Sequence, residues 1–280
     1  MKKLKYDELG YWSEVKLSII KEYVDAYTKI MAGQKYQFKC IYVDAFAGAG
    51  KHVSKQTGEI IDGSPVNALK IKNKFHEYHF IDINDLKIAE LEAASKELNN
   101  VFIYPGDCNK IIEGKVFPRA KYEDYKRAVC LLDPYGIHLD WNLIKKAGEM
   151  KSVEIFLNFP IMDINRNALK HEKEKVDDKQ ILRMNRFWGD ETWREVGYTK
   201  SQQQDLFGEP RDEKVSNEEF EQTFRKRLKE IAGFKFVPEP MPMRNSNNSI
   251  VYYLYFAGQN ETGKKIIEGI FKKYAQMRDE

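Results

Sequence analysis

The stretch IYVDAFAGAGK (41–51) carries the residue types best suited to holding a ligand: an apolar run ends at Asp44, and Phe46, Gly48 and Gly50 follow in a short turn. Glycine lets a backbone approach a bound molecule where a Cβ would block it. A triphosphate-binding loop needs GxxxxGK followed by Ser or Thr, but here Gly50-Lys51 precedes His52 and the first place is Ala45. The hydroxyl that would ligate magnesium is missing from that position. A dinucleotide turn needs GxGxxG, and its third glycine, which permits close helix–strand packing, is replaced by Val53. The turn therefore suits neither kind of phosphate ligand.

Asp44, Phe46, Gly48 and Gly50 instead resemble the DxFxGxG signature of class I methyltransferases that bind S-adenosylmethionine. That cofactor carries a sulfonium and an ammonium, so a nearby carboxylate makes electrostatic sense. Two more acids fall at the ends of later strands. Asp82 in FIDIND is placed to accept hydrogen bonds from ribose hydroxyls, with Ile83 beside it as a further cofactor contact. Gly106-Asp107-Cys108 follows the next strand, where Asp107 would meet the adenine amino group and Cys108 would join the cofactor site. Three acids at successive strand ends are more specific than any one alone.

The candidate catalytic residues stand in LLDPYGIHLDW (131–141). An exocyclic amine on a base is a poor nucleophile because its lone pair is delocalised into the ring. Acceptors for its hydrogens favour a more tetrahedral nitrogen, and an aromatic face can stack on the base. Asp133, the carbonyl of Pro134, and Tyr135 supply those three functions. The loop resembles the [DNS]PPY/F motif of amino-methyltransferases without its second proline, and is closer to the DPFG-type motif of tRNA guanine-N2 dimethyltransferases. A base inside a duplex would have to be flipped out first. Asn158-Phe159-Pro160 is a further candidate for the substrate side. The five histidines show no metal spacing, and the basic run from Lys110 to Arg127 is diluted by Glu113, Glu123 and Asp124.

The elements that must position these residues are legible as a pattern. Apolar residues from Val15 to Met31 at three-and-four spacing predict a helix over 13–33 with Ser13 as N-cap. Continuous apolar strands at 38–46, 77–83, 101–104, 127–133 and 152–159 alternate with helices. That alternation indicates a parallel sheet covered on both faces, with right-handed crossovers. Residues 51–63 read as a polar loop and Pro65 as the start of a helix. After a charged stretch holding Trp188 and Trp193, a helix (217–232), a strand near FKFVPE (234–239), a strand over 249–258 and a helix over 261–276 complete the chain. The expected fold is α/β: a Rossmann-like class I methyltransferase fold with a seven-stranded, mostly parallel sheet and one antiparallel edge strand. Its expected divisions are the cofactor-binding core (1–159), a helical insertion (160–216) recognising substrate or partner, and a sheet-completing segment (217–280).

The chain has 280 residues, 42% hydrophobic and 32% charged, which is globular composition, neither disordered nor fibrous. A net charge of +3 requires any nucleic-acid footprint to come from local clustering. Cys40, Cys108 and Cys130 lack CxxC spacing, which argues against a disulfide framework and a zinc site. No apolar run reaches membrane length and no signal peptide is read, so the expected location is cytoplasmic, with neither membrane nor metal. Finally, YWSEVKLSIIKEYVDAY, YVDAFAGAG, GSPVNAL (63–69), LLDPYG, FLNFP and RFWGDETW together resemble the three-Cys-motif partner (TcmP) proteins, a bacterial and archaeal family of Rossmann methyltransferase-like proteins. The resemblance implies S-adenosylmethionine as cofactor and a radical S-adenosylmethionine-type three-Cys protein as partner. Two functions are thus expected: methylation of an exocyclic amine in nucleic acid, or a non-catalytic adaptor role anchored by exposed Trp188 and Trp193.

Overall fold

The structure, a computed structural model, describes residues 5–204 and 210–277. In chain order it runs β1 (Glu8–Leu9), α1 (Tyr11–Ala32), β2 (Lys39–Asp44), β3 (Lys51–Ser54), β4 (Ile60–Asp62) and α2 (Ser64–Lys70). Then come β5 (Glu77–Asp82), α3 (Asp85–Ser95), β6 (Val101–Pro105), α4 (Cys108–Ile111), β7 (Lys126–Leu132), α5 (Trp141–Met150) and β8 (Val153–Phe159). The later part holds α6 (Ile161–Asn167), α7 (Asp178–Trp188), α8 (Trp193–Val196), β9 (Tyr198–Gln204), β10 (Pro210–Lys214), α9 (Asn217–Glu230), β11 (Met241–Arg244), β12 (Ile250–Ala257) and α10 (Glu261–Gln276).

Seven strands form the main sheet in the order β11-β12-β8-β7-β2-β5-β6. The five from β8 to β6 are parallel, and β12 runs antiparallel to both of its neighbours. Side chains of a strand alternate between faces, and β2 shows it: Ile41 and Val43 enter one hydrophobic cluster, Cys40 and Tyr42 the other. Both faces are therefore dry, which explains why these strands read as unbroken apolar runs. From β2 the chain crosses to β5 on one side, and β7 occupies the other. The carboxyl ends of β2 and β7 thus flank a topological switch point, where open α/β sheets leave a crevice. Registers of Asp44 with Leu131 and Phe80, and of Asp82 with Pro105, bring the acids to that same end.

Several local expectations need correction. Helix α1 begins at Tyr11 with Gly10 as N-cap, so Ser13 lies inside its first turn. The supposed loop 51–63 contains the β3–β4 hairpin, whose β3 pairs in parallel with β1 over the crevice's rim. No strand forms at 234–239, where Phe236 makes a lone bridge to Gly258; Pro238 and Pro240 lack the N–H a ladder needs. The seventh strand is β11 instead, an edge strand that tolerates Pro242. The reversed strand consequently lies one place in from the edge. Residues 160–216 hold an antiparallel hairpin, β9–β10, besides their helices.

Trp188 and Trp193 are buried, at 0% and 1% exposure, and are not surface anchors. Trp188 stacks on Phe220, and Phe187 on Phe224, which lies 4.4 Å from Phe159 of the sheet (ring centroids). Gly189 adopts φ +103°, and a Cβ there would meet Trp141 at 2.3 Å. The Arg227 guanidinium lies over Trp188 and donates to the Trp188 carbonyl and to Asp190 (2.8 Å each). RFWGDETW is thus the clasp that packs the inserted helices against β8 and α9.

Candidate functional site

Asp44, the last residue of β2, is wholly buried. Its Oδ1 accepts the Phe46 N–H (3.2 Å), while Oδ2 finds no hydrogen-bond partner among the described residues. Burial pushes its carboxyl up to about 7, against the opposing pull of the Ser64 hydroxyl, the Phe46 N–H and the Lys16 ammonium. The chain then turns through Gly48 (φ +64°) and Gly50 (φ +76°), a region that disfavours side chains. A Cβ on Gly50 would press on Leu91 and Val66 at 3.0 Å. A Cβ on Gly48 would meet only His52, at 4.0 Å, so the space beside Gly48 is open.

That space belongs to a cleft of ≈ 530 Å³ bordered by Phe46, Gly48, Ser64, Asp133, Tyr135 and Tyr252. Lys16 reaches into it from α1 and forms an ion pair with Asp133 Oδ2, its Nζ 5.2 Å from the Tyr252 ring centroid. Burial pulls the Lys16 ammonium down, but the Asp133 carboxylate, aided by Tyr252 and Asp44, raises it well above the usual lysine range. Lys16 is therefore a fixed cation. Sequence reading missed it, although one signal was available: Lys16 sits among Val15, Ile19 and Ile20 on the buried face of α1, where a lysine needs a partner.

The Asp133-Pro134-Tyr135-Gly136 loop crosses the cleft mouth. Tyr135 is 79% exposed, and its hydroxyl lies 3.4 Å from Asp7 Oδ2, which also pairs with Lys87 (2.6 Å). The Pro134 carbonyl accepts from Asn158 Nδ2 (3.4 Å), while Asn158 Oδ1 is buried without a partner among the described residues. Asp163 braces the loop: Oδ2 accepts the Ile137 N–H (3.3 Å), and a Cβ on Gly136 would meet that oxygen at 2.7 Å. Asn158 and Pro160 border the cleft, whereas Phe159 is core.

The cleft thus gathers Phe46, Gly48, Asp133, Pro134 and Tyr135, with Asp44 beneath its floor and Gly50 packed behind the turn. Asp82, Ile83, Asp107 and Cys108 stand outside its lining. Asp82 holds the turn: Oδ2 accepts the Gly48 N–H (2.9 Å) and Oδ1 the Asn84 N–H (2.8 Å). Ile83 is 80% exposed on the surface. Asp107 caps α4 by accepting from the Asn109 N–H (3.0 Å), and Cys108 is buried, which pushes its thiol up to about 12. Among the described residues no group of three His, Cys, Asp or Glu is placed to hold a metal ion, and no helix is long and apolar enough to cross a membrane.

The strand order, the reversed β12 and the crevice at the β2–β7 switch point define a Rossmann-like class I methyltransferase fold. Protein LPL1258 of Legionella pneumophila, from the DUF519 family, is similar over 92% of this chain and 91% of its own, with a TM-score of 0.56 at 10% identity. The N-terminal domain of EvdMO1, crystallised in the presence of S-adenosylhomocysteine (SAH) and D-fucose, covers 85% of this chain and 81% of its own (TM-score 0.41, 12% identity). The CurJ carbon methyltransferase matches 85% of this chain with 53% of its own (TM-score 0.40, 12% identity). At 10% identity the likeness to LPL1258 speaks to the fold alone. No family model and no curated protein matches the chain.

Proposed function

We propose that the chain is an S-adenosylmethionine-dependent methyltransferase acting on an exocyclic amine of a nucleic-acid base. One observation carries the reading: Asp44 Oδ2, a buried acceptor with no partner among the described residues, lies under a glycine turn that faces open space beside Asp133. Such an acceptor fits a ligand that brings an ammonium, and the bare Gly48 fits a ligand that lies against backbone.

S-adenosylmethionine, when bound, supplies the methyl group on a sulfonium. Asp44, Phe46, Gly48 and Gly50 would hold it, with Asp82, Ile83, Asp107 and Cys108 toward its nucleoside end. Lys16 occupies Asp133 Oδ2 and leaves Oδ1 to the acceptor. Asp133 Oδ1 and the Pro134 carbonyl accept the hydrogens of the amine, Tyr135 stacks on the base, and Asp133 takes the released proton. Arg166 borders the cleft and has no ion-pair partner among the described residues, which suits a phosphate-bearing acceptor. The rival adaptor role, serving a three-Cys protein, loses the anchors that motivated it, because both tryptophans are inside.

Calorimetry on cofactor-free protein tests the reading at its first step. SAH binds the wild type and not Gly48→Trp. If neither S-adenosylmethionine nor SAH binds the wild type, the reading fails. Transfer of tritium from methyl-labelled S-adenosylmethionine to RNA or DNA from cells lacking the gene tests the acceptor class.

A further inference from the structure

The opposite end of the sheet carries an aromatic and basic face that the methyl-transfer reading does not use. Tyr36, Tyr122 and Tyr125 are exposed at 59%, 52% and 53%. Tyr36 and Tyr125 stack with centroids 5.9 Å apart, and Phe38 lies 6.1 Å from Tyr125. The Arg127 guanidinium sits between Tyr122 (3.8 Å) and Phe38 (4.8 Å) and donates to the Tyr122 carbonyl (3.1 Å). Tyr125 is held at φ +54°, and its carbonyl accepts the Lys39 N–H (3.1 Å), which ties this loop to the start of β2. Phe38, Tyr122, Arg127 and Lys151 border a cleft of ≈ 370 Å³ beneath the face.

Basic residues outnumber acids on this face. Lys35, Lys39, Lys121 and Lys126 surround the tyrosines, with Lys151 at the cleft rim, and none of the five forms an ion pair among the described residues. Glu123 and Asp124 oppose them within these two segments, and Glu154 borders the same cleft with its carboxylate accepting from the Tyr23 hydroxyl. Protein interfaces favour tyrosine and arginine but are depleted in lysine. Stacking rings set among unpaired lysines are instead how proteins hold single-stranded nucleic acid.

We infer that this amino-end face, built on Tyr36, Tyr122, Tyr125 and Arg127, binds single-stranded nucleic acid by base stacking and phosphate contact. It goes beyond the methyl-transfer reading and does not depend on it. A strand of seven residues, such as β7, spans roughly 20 Å, so this face engages nucleotides other than the one at the Asp133 cleft.

The test is fluorescence anisotropy with labelled oligouridine and oligothymidine of about twelve nucleotides. The wild type binds with a logarithmic salt slope of about −2, as two or three neutralised phosphates give. Tyr36→Ala combined with Tyr125→Asn, an exchange that tolerates the left-handed backbone, weakens binding at least tenfold. Its circular dichroism and melting temperature remain those of the wild type. Gly48→Trp leaves oligonucleotide binding unchanged, so failure of the cofactor reading and failure of this one are separable. Wild-type affinity in the folded double variant overturns the inference. So does loss of binding in Gly48→Trp, which would put the strand in the other cleft. No binding by the wild type below about 100 µM also overturns it and leaves the face to a protein partner.

Discussion

The two ends of the sheet each hold a carboxyl that desolvation pushes up to about 7, Asp44 wholly buried and Glu154 partly so, and they put it in different company. At the carboxyl end, Asp44 lies under a positive-φ glycine turn, near the Lys16–Asp133 pair, with one oxygen lacking a partner among the described residues. At the amino end, Glu154 of β8 accepts a hydrogen bond from the Tyr23 hydroxyl (2.5 Å), a neutral donor. Gly263 presses against that pair: a Cβ there would meet Tyr23 Oη at 2.9 Å and Glu154 Oε1 at 3.1 Å. The first acid is sealed beneath a glycine turn beside fixed charge, while the second borders the amino-end cleft and is held by a neutral phenol. A raised carboxyl alone therefore does not mark a reactive site; the charges and the backbone turn around it do.

The comparison breaks most sharply at Asp133. Asp133→Asn, which keeps an oxygen for Lys16, lowers tritium transfer by at least about 100-fold, the usual range for a lost proton acceptor, while calorimetry still shows SAH affinity within about twofold of the wild type. Glu154→Gln leaves transfer unaffected. Equal losses in the two variants would erase the distinction between the ends.

A smaller effect is expected at Lys16. Lys16→Met leaves the Asp133 carboxylate, with a quarter of its side chain exposed, without its cation. A fully buried pair broken on one side costs about 3–5 kcal/mol, and the remaining solvent contact of Asp133 reduces this to about 2–3 kcal/mol, a fall in Tm of about 5–10 °C. Thermal melts check it; an unchanged Tm would show the pair to be no more than a surface contact.

Most of the frame was legible because strands buried on both faces leave a one-dimensional record. FKCIYVDAF and RAVCLLD could hardly be anything but central strands, and the turn after Asp44 announced itself through its glycines. The ion pair at the cleft was not legible, since Lys16 and Asp133 are 117 residues apart and only the crossing of α1 over the β2–β7 switch brings them together. Trp188 and Trp193 misled for the opposite reason. A polar segment charged with both signs predicts solvent, and nothing local reveals that Phe220 and Phe224 close over Trp188 or that Trp193 turns inward to donate to Asn185. The prolines of 234–242 displaced the last strand by denying it donors, a rule visible in the sequence but outweighed there by the aromatic pattern of FKFVPE.

The raised acids give the finer contrast, read with pH. An ionised Asp44 is what a ligand ammonium requires, so SAH affinity rises with pH up to about 7, by at most about tenfold per pH unit. Above that it levels off. Calorimetry at several pH values detects the slope in the wild type and its loss in Asp44→Asn; a flat wild-type profile would detach Asp44 from the cofactor.

The effect of Glu154 is expected in stability rather than binding. Its folded value of about 7 lies above the ordinary 4.5, so the folded chain holds this proton more tightly than the unfolded one does. Stability linked to Glu154 therefore falls as pH rises from about 4.5 to about 7 and is level above that. Glu154→Gln keeps the hydrogen bond from Tyr23 on an uncharged acceptor and removes the titration. Relative to the wild type its stability gains about 2–3 kcal/mol, or about 4–10 °C in Tm, between pH 5 and pH 8. Melting curves that stay parallel across that range would mean Glu154 is ionised in the folded chain at low pH. The contrast between the two ends would then rest on the glycine turn and Lys16 alone.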